Sequence, residues 1–274
     1  MGSGIAEVAA RAGMAVVVHE IDDDSLASGR RRVHASLDRA VRAGKMEGLA
    51  RHAALDRIHF TVDLEDMADR QLVVEAVVED ERAKLDVFSL LDKLVEDEQA
   101  ILASNTSSIP IMKLAMATGR PHAVIGIHFF NPVPVLRLVE LVTSLLTSPE
   151  TAERSEAFAH EQLGKRVIRS KDRAGFIVNA LLIPYLLSAM RMMESGFATA
   201  EDIDSGMVEG CAHPMGPLAL ADLIGLDTTM AVAESLYEEF KEPLYAPPPL
   251  LSRMVDAGLL GRKTGRGFYE YGGR

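Results

Sequence analysis

Cysteine occurs once in these 274 residues, at Cys211, so the chain can form no internal disulfide, which points to a reducing compartment. Basic charge is in deficit. The 29 Lys and Arg stand against 40 Asp and Glu, a formal net charge of −11, which argues against a nucleic-acid binder with its basic face. A local basic pocket for an anionic ligand stays open. No apolar run approaches the ~18–20 residues that a membrane span needs. The opening segment MGSGIAEVAARAG lacks a charged region followed by an apolar stretch, so no signal peptide is expected and a cytoplasmic location is. Internal repeats and low-complexity tails are absent, and no metal is expected. What is present is a 48% hydrophobic composition, which excludes a disordered chain, and a length sufficient for one large domain or two smaller ones.

The first two thirds alternate in texture. Short apolar runs at Ala15–His19, Leu72–Val78, Ile101–Ser104, Val124–Phe129 and Leu138–Val142 read as strands, and Lys165–Arg169 as a final edge strand. Between them Asp22–Ala43, Asp80–Asp97 and Ser108–Thr118 are amphipathic, the last opening on Ser108 with Pro110 near its first turn. Strands apolar on both faces and separated by helices predict a doubly wound parallel sheet. After about Lys171 the pattern turns helical. Gly175–Met193 is nearly all apolar and contains Pro184, Thr199-x-x-Asp202 resembles a capping box, Asp227–Phe240 is amphipathic, and Pro247–Pro249 precede one more helix. A strand pattern returns only at Gly267–Tyr271. The expected domains are 1–171, α/β, and 172–274, all-α.

Four groups of residues carry chemistry. Gly2, at the start of a helix that precedes an apolar strand, can be the third glycine of a dinucleotide fingerprint, or part of an ordinary glycine-rich start. Glu20, ending that strand, lies where an acid accepts the ribose hydroxyls of NAD and repels a 2′-phosphate; alternatively it begins the acidic run Asp22, Asp23, Asp24. His128 ends another strand, and Glu140 sits inside the apolar run LRLVELV. A carboxylate there is costly unless paired, and a His–Glu pair would satisfy it while creating an oriented general base. A core histidine without catalytic duty is the other reading. Ser107 and Ser108 follow a strand end, where hydroxyls either bind substrate oxygens or cap a helix, as Ser108 is expected to. Asn179 lies in the apolar helix GFIVNALL, facing a ligand carbonyl or an interhelical hydrogen bond.

The motifs MGSGIAEVAARAG, VVEAVVED, ASNTSS, HFFNPVPVLRLVE, GFIVNALLIPYL, HPMGPLALADLIGLD and GRKTGRGFYEY, in this order and spanning nearly the whole chain, resemble the 3-hydroxyacyl-CoA dehydrogenases, in particular the bacterial 3-hydroxybutyryl-CoA type. The resemblance implies that His128 is the catalytic histidine, Glu140 its carboxylate partner, Ser107 the serine near the substrate 3-oxygen and Asn179 the asparagine completing the site. It implies that Gly2, Glu20, Glu79, Lys84, Ser107, Asn131 and Lys263 line the NAD site. More loosely, it places coenzyme A near Ser36, Arg42 and Lys45. The helical domain is implied to form a homodimer. Two departures stand out. Ala180 replaces an arginine usual after the asparagine, which puts a local ion pair in doubt. The chain also opens inside the phosphate-binding turn, so the expected fold is a Rossmann-like sheet lacking its first strand, as in an N-terminally truncated relative.

The expected activity is therefore NAD-linked interconversion of a 3-hydroxyacyl-CoA and a 3-oxoacyl-CoA, within fatty acid metabolism. A non-catalytic dinucleotide- or acyl-CoA-binding relative is the alternative, favoured by the incomplete phosphate loop. A dehydrogenase of free 3-hydroxy acids or sugar acids is a third reading.

Overall fold

A computed structural model describes residues 1–272 and divides into two compact units after Asp172. The first runs α1 (Gly2–Arg11), β1 (Val16–His19), α2 (Asp23–Arg42), α3 (Gly48–Leu55), β2 (Ile58–Thr61), β3 (Leu72–Glu75), α4 (Glu81–Leu94), β4 (Ile101–Ser104), α5 (Ile111–Ala115), β5 (Val124–Phe129), β6 (Leu138–Thr143), α6 (Pro149–Ala157) and β7 (Arg166–Lys171). The second holds α7 (Val178–Glu194), α8 (Ala200–Cys211), α9 (Pro217–Ile224), α10 (Leu226–Phe240) and α11 (Pro249–Asp256). The α/β-then-helical order is the one expected.

Local chemistry explains most boundaries. Asp22 caps α2, its side chain accepting from the Ser25 amide at 2.7 Å, and Asp80 caps α4 through Ala83 in the same way. Thr199 caps α8 by accepting from the Asp202 amide at 3.1 Å. The start of α5 departs from expectation. Ser108 does not cap it; the helix begins at Ile111, and its free amides at Ile111 and Met112 donate to the carboxylate of Asp172 at 2.8 and 2.7 Å. A carboxylate meets the positive end of the helix dipole better than a hydroxyl does.

The strands form a two-stranded parallel pair, β1–β2, and a five-stranded sheet in the order β3-β4-β5-β6-β7. All neighbours are parallel except β5 and β6, which run antiparallel. Only residues 130–137 join those two strands, too few for the crossover of a dozen or more residues that a parallel pair requires. Helix α3 and strand β2 were not foreseen. Strand β2 has His59 and Thr61 among its four residues and so lacks an apolar run. At the other end of the chain, Gly267–Tyr271 forms no strand; within it Glu270 makes an isolated bridge to Arg266.

Among the described residues β1 pairs with β2 alone and β3 with β4 alone. Their other edges border a cavity of about 610 Å³, lined by Val16–Glu20, Leu72–Val77 and the first turns of α1. Helix α1 spans the gap. Ile5 and Val8 pack with Ile125, Ile127, Val139 and Leu141 of the larger sheet, while Ala10 packs with Val33, Leu37, Ala54 and Ile58 beside the smaller one. Each of these buried Val, Leu and Ile side chains contributes about 1.5–3 kcal/mol.

In the helical unit, Ile183, Leu186, Leu187 and Met190 of α7 pack with Leu218, Leu226, Leu236 and Leu251. Two buried aspartates pin the last segment to the helices. Asp222 accepts from the amides of Phe268 and Tyr269 at 3.0 Å and from the Tyr271 hydroxyl at 2.9 Å. Asp204 accepts from Leu218 and Ala219 amides and from the Tyr269 hydroxyl. No helix among the described residues is long and apolar enough to cross a membrane.

Candidate active site

The antiparallel pairing of β5 and β6 sets His128 directly opposite Glu140. Their side chains share one face, and His128 Nδ1 lies 2.8 Å from Glu140 Oε2. Glu140 is fully buried and His128 is 4% exposed. A carboxylate accepts only, so Nδ1 donates and Nε2 of the neutral ring is left as an acceptor. That nitrogen meets Ser107 Oγ at 3.0 Å. The ring is backed by Phe130, centroids 4.6 Å apart. The result is a line Glu140–His128–Ser107 running from the buried sheet to a half-buried hydroxyl, a geometry able to move a proton to or from an oxygen at Nε2.

Ser107 sits just beyond β4. The Asn105 side chain accepts from the Phe129 amide at 2.9 Å, which ties the end of β4 to the end of β5. The loop after β5, which carries the exposed Asn131, is held by Lys165, whose ammonium donates to the carbonyls of Val133 and Leu136. Burial, then the neighbouring Arg11 charge, holds the Lys165 ammonium below its ordinary value.

Glu79 and Lys84 form part of a second cluster. Lys84 is 1% exposed and lies 2.7 Å from Glu75 and 3.3 Å from Glu79. Glu75 also accepts from Ser104 Oγ at 2.6 Å. The sequence reading passed over Glu75, although a carboxylate inside the apolar run LVVEAVV is the same signal that singles out Glu140. Burial tends to raise the Glu79 carboxyl, but the Lys84 charge and the donors from Thr106, Ser108 and Ser107 outweigh it and hold the group below the usual carboxylate range.

The residues present fit a dinucleotide in part. Helix α1 begins at Gly2 with no side chain capping it, so its first amides are available to an anion. A Cβ at Gly2 would lie 3.6 Å from that of Ala76, ordinary contact, whereas one at Gly4 would come within 3.0 Å of Val133. The close approach of α1 therefore depends on Gly4, which sequence reading did not single out. Glu20, half-buried just past β1, has its carboxylate beside Gly29, and Arg32 and Ser3 converge on the same spot. Arg32 Nε donates to Ser3 Oγ at 3.3 Å. An acid and small residues here suit ribose hydroxyls.

The coenzyme A candidates are less gathered. Ser36 is half-buried on α2, Arg42 ends that helix exposed, and Lys45 lies beyond it. Helical spacing puts Arg32 and Arg39 on the face of Ser36 and turns Arg42 about 120° away. In the helical unit, Asn179 lies half-buried in the first turn of α7. It follows Gly175 and Phe176, both at positive φ. A Cβ at Gly175 would come within 2.8 Å of the Ala180 amide, so the bend demands glycine. Lys263 pairs with Asp227.

Comparison with known proteins identifies the family of the chain. The 3-hydroxyacyl-CoA dehydrogenase NAD binding domain matches residues 1–173, and the C-terminal domain of the same family matches residues 175–271. A 3-hydroxybutyryl-CoA dehydrogenase of Mycobacterium tuberculosis is 60% identical over 99% of this chain and 95% of its own. The human mitochondrial hydroxyacyl-coenzyme A dehydrogenase is 41% identical over 99% and 88%. The crystal structure of M. tuberculosis FadB2 superposes with a TM-score of 0.98 at 60% identity, covering 99% of this chain and 95% of that one. That of (S)-3-hydroxybutyryl-CoA dehydrogenase PaaH1 from Ralstonia eutropha gives 0.93 at 46%, covering 100% and 96%. Matched by its family across both units, the chain belongs to the 3-hydroxyacyl-CoA dehydrogenases.

Proposed function

We propose that this protein interconverts a 3-hydroxyacyl-CoA, 3-hydroxybutyryl-CoA in the first place, with the corresponding 3-oxoacyl-CoA. The observation that carries the reading is the Glu140–His128–Ser107 line. Bound NAD(H) supplies the hydride acceptor, or in reverse the donor, for substrate C3. The chain's own residues handle the proton. His128 Nε2 takes it from the 3-hydroxyl during oxidation and returns it to the 3-oxo oxygen during reduction. Glu140 holds the ring in the tautomer whose Nε2 is the acceptor, and stabilises the positive charge that the ring acquires. Ser107 and, from the helical unit, Asn179 position substrate oxygens.

Gly2 and Glu20 would hold the pyrophosphate and ribose, with Glu79, Lys84, Asn131 and Lys263 lining the cofactor site. Glu20 favours NAD(H) over NADP(H). Ser36, with Arg42 and Lys45, would receive part of coenzyme A. A binding protein without turnover gains no support from the M. tuberculosis and human relatives, both named as dehydrogenases.

The helical unit is proposed to pair with a second copy. Ile177, Leu181 and Met192 form an exposed stripe along α7, Leu181 at 74%, and Phe197 is 79% exposed beside its end. A reducing, cytoplasmic setting suits the single exposed cysteine.

The test is NADH oxidation with acetoacetyl-CoA and, in parallel, with free acetoacetate. Turnover of the thioester at far lower concentration supports the reading. Equal turnover of both would assign the protein to free 3-oxo acids.

A further inference from the structure

Proton transfer at His128 depends on where Ser107 sits, and Ser107 belongs to a turn, not a strand. Strand β4 ends at Ser104, and α5 begins only at Ile111. Between them one carboxylate gathers the turn. Glu79 Oε1 accepts from Thr106 Oγ1 at 2.5 Å, from the Ser107 amide at 2.8 Å, and from the Ser108 amide and hydroxyl at 3.0 and 2.8 Å. Its other oxygen faces Lys84 at 3.3 Å. Lys84 in turn pairs with Glu75, which takes the Ser104 hydroxyl. The start and the middle of the turn therefore hang from carboxylates bridged by one buried lysine. Charge-assisted bonds of this kind are short and strong, and they restrict the turn to one arrangement. That arrangement is the one in which Ser107 Oγ faces His128 Nε2.

We propose that Glu79 is a positioning residue that acts on the reaction through Ser107, by fixing the turn that aims the Ser107 hydroxyl at His128. The inference rests on the reading of His128 as the proton-transfer group. It differs from a role in lining the cofactor site, because the bonds run to the Ser107 turn itself. The two roles give opposite results when Glu79 is changed. A residue that only holds cofactor alters cofactor affinity, whereas one that aims Ser107 alters the His128 ring and the turnover rate.

The experiment compares the wild-type protein with Glu79→Gln, Ser107→Ala and the double variant. Gln keeps the shape and one acceptor but loses the charge. The first readout is the ¹⁵N signal of His128 Nε2, and the second is kcat and KM for acetoacetyl-CoA with the dissociation constant for NADH. Glu79→Gln should move the Nε2 signal toward its position in Ser107→Ala and lower kcat by about 10–100-fold, the scale of a misplacement near 1 Å. Any loss of NADH affinity should be smaller than the loss in kcat, and Glu79→Gln should add little once Ser107 is gone. An unmoved Nε2 signal, a loss of NADH affinity equal to the loss in kcat/KM, or losses that multiply in the double variant would each overturn the proposal. Thr106→Val removes the shortest bond and leaves every charge in place, so it guards against misfolding of Glu79→Gln. It should move the same signal the same way by less, and an unmoved signal there counts against the proposal too. A wild-type protein without turnover would sink the dehydrogenase reading, and the ring signal would still decide the role of Glu79.

Discussion

His128 and Glu140 are cross-strand partners in the one antiparallel pair of the larger sheet, and their side chains meet at 2.8 Å between Nδ1 and Oε2. Twelve residues separate them in sequence, yet the hairpin makes them neighbours by register. Glu140→Gln should therefore slow turnover by unsettling the ring tautomer, with little change in KM for either substrate. If the two act as a unit, adding it to His128→Ala should cost little more. Multiplied losses in steady-state kinetics would show two independent roles.

The proposed preference for NAD(H) rests on Glu20. Its carboxylate lies beside Gly29, with Ser3 and Arg32 around it. Glu20→Ala should narrow the preference for NADH over NADPH, since it removes the repulsion of a 2′-phosphate and leaves Arg32 to attract one. Relative kcat/KM values for the two cofactors check this. A wild-type preference for NADPH would mean that Glu20 does not face the ribose.

The last segment of the helical unit should show its own pH response. Burial, and then the bond to Asp222, pushes the Tyr271 hydroxyl up to about 12, the nearby Arg262 opposing with less weight. Below the ordinary tyrosine value of about 10 the bond contributes in full. Above it the unfolded chain loses the proton first, so stability falls as pH rises and the contribution is gone beyond the folded value. Tyr271→Phe should be less stable at pH 8 and show a flatter decline between pH 10 and 12. Parallel profiles in urea unfolding would mean that the bond carries no stability.

Much of this was legible in the residues. Strands β4 and β5 run over the residues expected, because both are short, mainly apolar runs, each with its polar residue, Ser104 or His128, at or near its end. Glu140 stood out because a carboxylate inside an apolar strand needs a partner. The rest was hidden for physical reasons. Asp172 caps α5 across 61 residues, a relation with no local signature. Strand β2 has His59 and Thr61 among its four residues and so lacks the apolar run that marks β4. The Glu75–Lys84–Glu79 cluster assembles from a strand, a helix and a loop, so only the fold brings it together.

The proposed pairing with a second copy rests on the stripe along α7. Ile177, Leu181 and Met192 leave apolar surface that a second copy would cover in the commonest, two-fold manner. Light scattering at micromolar concentration should report a dimer, and Leu181→Glu should shift it toward monomer. A monomeric wild-type protein would leave that stripe without the partner proposed.

The central claim is that His128 moves the proton, and one comparison tests it: NADH oxidation with acetoacetyl-CoA by the wild-type protein and by His128→Ala. General acid–base groups supply about 10²–10⁴-fold, so the variant should lose at least a hundredfold in kcat while binding NADH as before. A variant that keeps more than about a tenth of the rate would remove His128 from the chemistry.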